Sequence, residues 1–172
     1  MTVIYKETTI VLGLGSNLEN RCNYLENATV LLQERLLNRI QKSSIYECNA
    51  LLKKNAPKEW GKNFLNMVIK GILKQDYQLK ELFKQIQSIE LELGKNKLAT
   101  WAPRAIDIDI LAIDNLVLNE HNIIVPHTGI EQRQFVAQPL KDIEPDWQHP
   151  VTKKSIDTIL SDVPKMDLFK RF

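Results

Sequence analysis

Apolar and polar positions along this chain follow two rhythms, one of period two and one of period 3.6, and the places where they switch mark the elements. Thr8 to Leu14 is an apolar run stopped by Gly13 and Gly15, which predicts a strand ending in a turn. Asn17 or Asn20 can cap a helix, since Leu25, Ala28, Leu32 and Leu36 recur at helical spacing and predict an amphipathic helix from Asn20 to Asn38. Ser43 to Cys48 predicts a short strand. Asn49 to Lys62 is polar, contains Pro57 and Gly61, and reads as a long loop of the kind that carries function. Phe64 to Leu73 predicts a strand with Met67 and Ile69 on one side and Asn66 and Val68 on the other. Gln78 to Leu93 predicts the clearest helix, with Leu79, Leu82, Phe83, Ile86, Ile89 and Leu93 in one stripe and Gly94 at the C-cap. Lys95 to Arg104 reads as a basic loop and Ala105 to Ile113 as a strand. Asp114-Asn115 predicts a turn, and Leu116 to Leu118 a short returning strand. Beyond Pro126 the pattern weakens, with a last short helix expected at Ser155 to Leu160.

The order strand, helix, strand, strand, helix, strand makes two strand-helix-strand halves. It predicts an α+β fold, a ferredoxin-like βαββαβ sandwich with helices on one face of a mainly antiparallel sheet and additional strands after it. There is no internal repeat, and residues 1–172 are expected to form one domain.

Composition narrows the classes. Apolar residues make up 44% and charged residues 26% of the 172 residues, which speaks against disorder. A net charge of +2 is too small to argue for nucleic acid, and suits a small anionic substrate if the cations gather. Cys22 and Cys48 are not in CxxC spacing, so neither a disulfide framework nor a zinc site is expected. No run approaches the ~20 apolar residues that span a bilayer, and Met1 to Ile10 has no apolar signal core. The expected setting is the cytoplasm, as a monomer, with small-molecule partners and neither nucleic acid nor membrane.

The chemistry concentrates in Trp101-Ala102-Pro103-Arg104-Ala105-Ile106-Asp107-Ile108-Asp109-Ile110. Strand alternation puts Asp107 and Asp109 on one face, Cβ atoms roughly 7 Å apart, and sends Ile106, Ile108 and Ile110 to the core. Two like charges on one strand face repel, the more so where water is excluded, and a hard divalent cation relieves the repulsion. Arg104, Lys95 and Lys97 before the pair, with His127 and Arg133 after it, supply cations for phosphate. The simpler reading is a solvated acidic strand face. Gly13-Leu14-Gly15-Ser16-Asn17 lacks both the GxxxxGK[ST] and the full GxGxxG spacing, and reads either as a turn that lets backbone approach a ligand or as a plain strand-to-helix turn. Phe64 and Phe135 sit near element ends where they can stack on a flat heterocycle, although phenylalanine is more often core. Trp60 and Trp101 lie in predicted loops and can cover a ligand or the core edge.

At these residues the chain resembles the 6-hydroxymethyl-7,8-dihydropterin pyrophosphokinases. The resemblance is carried by Gly13-Leu14-Gly15-Ser16-Asn17-Leu18, Phe64-Leu65-Asn66-Met67-Val68, Ile89-Glu90-Leu91-Glu92-Leu93-Gly94, the segment from Trp101 to Leu111, and Val125-Pro126-His127 with Arg133 and Phe135. These pieces stand in family order over about residues 10–140. The resemblance implies ATP as co-substrate, two Mg²⁺ ions, AMP as a product, and a place in folate biosynthesis. It implies that Asp107 and Asp109 hold magnesium, that Phe64 and Phe135 sandwich the pterin and that Asn66 bonds its edge. By the same resemblance Gln87 and Glu90 would face the nucleotide and phosphate side, Arg104, His127 and Arg133 would bind the triphosphate, Ile110 would offer backbone to adenine, and Trp101 would belong to the mobile catalytic loop. The expected catalytic set is Arg104, Lys95, Lys97, Asp107 and Asp109. The chain departs from the family pattern with Lys95 and Lys97 where arginines are usual, Thr100 for an arginine in a loop one residue shorter, and Cys48-Asn49-Ala50 for a Thr-Pro-Pro-like stretch. Lysine lacks the bidentate fork of arginine. The alternative is a catalytically weakened ATP/pterin-binding regulatory module on the same fold. An RNA-binding sheet is a third reading, opposed by two aspartates at the strand centre.

Overall fold

The computed structural model describes residues 2–51, 57–95, 102–120 and 123–171. In chain order the elements are β1 (Val3–Ile4), β2 (Thr9–Ser16), α1 (Arg21–Arg35), β3 (Leu37–Lys42), β4 (Tyr46–Cys48), β5 (Phe64–Leu73), β6 (Tyr77–Gln78), α2 (Leu79–Glu92), β7 (Asp107–Ile113), β8 (Leu118–Glu120), β9 (Ile123–Val125), α3 (Gly129–Gln132), α4 (Gln134–Ile143), α5 (Ile156–Asp162) and β10 (Leu168–Lys170). The main sheet runs β10-β4-β5-β2-β7, with β3 also paired to β5, and every pairing is antiparallel. Two split strand-helix-strand units interlock around β2 and β5, the arrangement expected of a ferredoxin-like α+β fold.

α1 and α2 cover one face. Leu79, Leu82, Ile86 and Ile89 of α2 are buried against Leu12, Leu14, Met67, Ile69, Ile108 and Ile110 of the sheet. Each such side chain, fully removed from water, stabilises by ~1.5–3 kcal/mol. The expectation of helices on one face only is corrected by the second layer. α4 and α5 pack on the opposite face, where Val136, Ala137, Leu140, Ile156 and Ile159 meet Val11, Val68 and Leu111. α4 runs through Pro139, whose cost to a helix is ~3 kcal/mol, because Val136, Leu140 and Ile143 bury a continuous face on β5.

Other local readings also change. Gly13 and Gly15 do not end the first strand in a turn, since β2 continues through both to Ser16. The first helix stops at Arg35, and the remaining residues open β3. Asn20 precedes that helix in a left-handed conformation, with no side-chain cap bond. The tail beyond α5 returns as β10 along β4.

Candidate active site

The register of three strands builds the floor. Asn66 on β5 pairs with Gly15 on β2, and Gly15 pairs on its other side with Asp107 on β7. One step along, Val68, Gly13 and Asp109 form a parallel row. Adjacent strands lie ~4.8 Å apart, so Asn66 and Asp107 stand roughly 10 Å apart across Gly15, which carries no side chain. A Cβ on Gly15 would come within 3.1 Å of Asn66 Oδ1, and one on Gly13 within 3.3 Å of Leu111. The glycines keep the floor open between the amide and the carboxylates.

The resulting cavity holds about 850 Å³ of empty space, part of it open to solvent. Phe64 from the start of β5, Phe135 from the first turn of α4 and Trp60 line it, together with Val68, Leu111 and Val136. Cys48 to Leu51 also line it. Asn66 donates to Cys48 Sγ at 3.3 Å. Burial pushes the Cys48 thiol up to about 11, so it is a neutral wall of the cavity. Arg133 closes over Phe135, its Cζ 5.9 Å from the ring centre, and lines the cavity with Arg104.

On the β7 side the charges interlock. Gly94, at φ 91°, turns the chain back after α2 so that Lys95 N bonds the Glu90 carbonyl at 2.9 Å. The Lys95 ammonium then lies 2.6 Å from Glu90 Oε1 and 2.6 Å from Asp107 Oδ1. Arg104 holds the other Asp107 oxygen at 2.9 Å. Glu90 is 5% exposed, and its Oε1 also accepts the Ile108 N–H at 2.7 Å. Burial raises the Glu90 pKa against the pull of Lys95. Asp109 differs from Asp107. Burial and the neighbouring Asp107 carboxylate push its pKa up, opposed by the fields of His127, Lys95 and Arg133.

β7 is the sheet edge. Its outward Ile108 N–H is taken by Glu90, and the Leu111 carbonyl by the His127 N–H at 2.8 Å. Between them Ile110 buries its side chain in the core and, by strand alternation, turns backbone polar groups to the open edge. His127 Nδ1 accepts the Gly129 N–H at 3.0 Å, which leaves Nε2 to carry the proton of the neutral ring. Gln87 is exposed on α2, one turn before Glu90. Lys97 and Trp101 lie outside the described residues.

Asn17 is a site residue that periodicity could not reveal. It is buried, its Oδ1 accepts the Arg104 N–H at 2.8 Å, and its own N–H reaches the Arg104 carbonyl at 3.3 Å. The residue expected to cap a helix instead aims the arginine beside Asp107. Asn17→Ala is expected to cost ~1–3 kcal/mol of stability, the penalty for unsatisfied buried backbone groups. Turnover should fall further than the ATP KM rises. Denaturant unfolding beside steady-state kinetics checks this, and an unchanged kcat would remove the positioning role.

The model of the family described as 7,8-dihydro-6-hydroxymethylpterin-pyrophosphokinase matches residues 11–145. A protein of Aquifex aeolicus (strain VF5) named 2-amino-4-hydroxy-6-hydroxymethyldihydropteridine pyrophosphokinase is 38% identical over 153 residues, covering 86% of this chain and 88% of that protein. The folate synthesis bifunctional protein of Chlamydia caviae is 36% identical over 137 residues, covering 79% of this chain and 30% of its own length. The crystal structure of wild-type Plasmodium falciparum HPPK-DHPS with pteroate is similar in fold, with a TM-score of 0.67 at 15% identity, over 91% of this chain and 44% of that one. The chain thus spans most of the Aquifex relative but less than half of the longer proteins. With the family model matched over well more than half its length, the chain belongs to the 7,8-dihydro-6-hydroxymethylpterin-pyrophosphokinase family.

Proposed function

We propose that this site transfers the terminal diphosphate of ATP to the hydroxymethyl oxygen of 6-hydroxymethyl-7,8-dihydropterin and releases AMP. Family membership makes the chain a pterin pyrophosphokinase of folate synthesis. The observation that carries the detailed reading is the row Asn66, Gly15, Asp107, which brings two carboxylates and the cations Arg104 and Arg133 into one cavity with Phe64, Phe135 and Trp60. In this reading the enzyme works in the cytoplasm as a monomer on dissolved small molecules.

Magnesium fits the residues present. Asp109 is a half-buried carboxylate next to another, with its pKa raised by desolvation and by that neighbour, and hard cations take such oxygens together with those of phosphates. Asp107 and Asp109 would hold it, with two ions implied by the family resemblance. When bound it neutralises phosphate charge and polarises the phosphorus under attack.

The remaining work falls to the chain. Phe64 and Phe135 stack on the pterin and Asn66 bonds its edge, which directs the hydroxymethyl group across Gly15 toward β7. Arg104, Lys95, Lys97, His127 and Arg133 bind the phosphates, His127 through the Nε2–H that the Gly129 contact leaves free. The Ile110 backbone receives adenine at the sheet edge, with Gln87 and Glu90 on the same side and Trp101 in the covering loop. The hydroxymethyl oxygen forms a bond to the β-phosphorus in line and gives up its proton to solvent, while the bond from the β-phosphorus to the α–β bridging oxygen breaks and its electron pair leaves with AMP. Positioning and charge neutralisation supply the rate.

An AMP-release assay tests the assignment. AMP is expected only when ATP, the hydroxymethyl-dihydropterin and Mg²⁺ are all present. ATP binding without AMP release would instead mark the regulatory module, for which no particular observation speaks.

A further inference from the structure

We infer that Lys95 is an internal counter-ion that occupies the acidic site in the free enzyme, so that a divalent metal binds well only when a nucleotide's phosphates draw the ammonium away. The inference rests on the assignment of Asp107 and Asp109 as metal ligands.

Geometry carries the argument. The Lys95 ammonium sits 2.6 Å from Asp107 Oδ1 and 2.6 Å from Glu90 Oε1, while Arg104 takes Asp107 Oδ2 at 2.9 Å. Both oxygens of Asp107 are therefore already engaged by cations. A metal arriving alone must displace one of them and face the charge of both. Among the described residues the buried Glu90 has no cation other than Lys95, so departure of the ammonium without a new partner strands that carboxylate. A polyphosphate changes the balance, because its oxygens give Lys95 and Arg104 new partners at the moment Asp107 is released to the metal. Lys95 suits this exchange better than arginine would. Its ammonium is a compact point charge on a flexible stem and is not locked into a planar fork with one carboxylate. Among the described residues nothing lies within 4 Å of where a Cβ on Gly94 would stand, which leaves the turn beneath Lys95 room on that side.

Mn²⁺ is a suitable probe, followed by electron paramagnetic resonance and by titration calorimetry on the full chain, with and without a non-hydrolysable ATP analogue. Lys95→Met should bind Mn²⁺ in the absence of nucleotide at least about tenfold more tightly than the parent, as expected when a unit charge in contact with the site is removed. Lys95→Gln should behave in the same way, and Lys95→Arg should restore the weak binding. The gain in Mn²⁺ affinity produced by the analogue should be largest in the parent. Equal Mn²⁺ affinity of parent, Lys95→Met and Lys95→Gln in the free state overturns the inference and leaves the metal assignment standing. If Asp107→Asn leaves Mn²⁺ binding with the analogue unchanged, the metal assignment falls and takes the inference with it.

Discussion

Asp107→Asn combined with Asp109→Asn is expected to reduce AMP formation by at least ~10³-fold, the scale of several kcal/mol of lost charge stabilisation, while the fold persists. The two residues need not contribute alike to stability. Asp107 is ion-paired to Lys95 and Arg104, whereas Asp109 has its pKa raised by burial and by Asp107. A carboxyl whose folded pKa lies above its unfolded value binds its proton more tightly when folded. Its favourable contribution is complete below the ordinary aspartate range and is lost as pH rises through the folded value. At neutral pH the ionised Asp109 therefore opposes folding. The single variant Asp109→Asn should melt no lower than the parent at neutral pH, and its stability should decline less between mildly acidic and neutral conditions. Turnover, Tm and the pH dependence of Tm check this together. A double variant that still releases AMP at the parental rate removes both carboxylates from the reaction.

Loss of either ring wall should strike the other substrate. Phe64→Ala and Phe135→Ala are each expected to weaken pterin binding by ~1–3 kcal/mol, by analogy with base stacking on aromatic side chains, or roughly five- to 150-fold in Kd. ATP binding should change little, because both rings give the cavity an apolar wall and offer no charge to phosphates. The two sites differ in what surrounds them. Phe135 also packs on the second apolar cluster and lies beneath Arg133, so Phe135→Leu is the control that keeps bulk there without the flat face. Calorimetric titration with each substrate separates the effects. A parallel loss of ATP and pterin affinity would mean a collapsed site, and undiminished pterin affinity would deny the sandwich.

Much of the sheet and its first helical layer is legible in the sequence because their signals are local. Phe64–Leu73 is an apolar run broken only by Asn66, Lys70 and Gly71, and the strand occupies those residues. The stripe from Leu79 to Ile89 is periodic over more than two turns, and its helix ends just before Gly94. The Asp-Ile-Asp alternation gives the shared face of the two carboxylates without any tertiary knowledge. The second helical layer is not legible. Pro126 and Pro139 interrupt the pattern, and α4 exists because β5 offers an apolar face for it to cover. The glycines at 13 and 15 also mislead. Glycine in sequence signals a turn, yet these two mark the middle strand of a ligand-bearing floor, which depends on what lies on either side.

The amino-acid sequence alone determined most of the main strands and the first two helices, the burial of Ile106, Ile108 and Ile110, and the pairing of two acidic side chains on one strand, because periodicity and alternation are properties of the chain itself. Tertiary structure decided which residues meet. It set Asn66 and Asp107 on either side of Gly15, brought Asn17 to the backbone of Arg104, and folded Lys95 back onto Glu90 and Asp107. These are contacts between segments far apart or turned back on themselves. Their energies depend on burial and on neighbouring charge, and those exist only once the sheet has assembled.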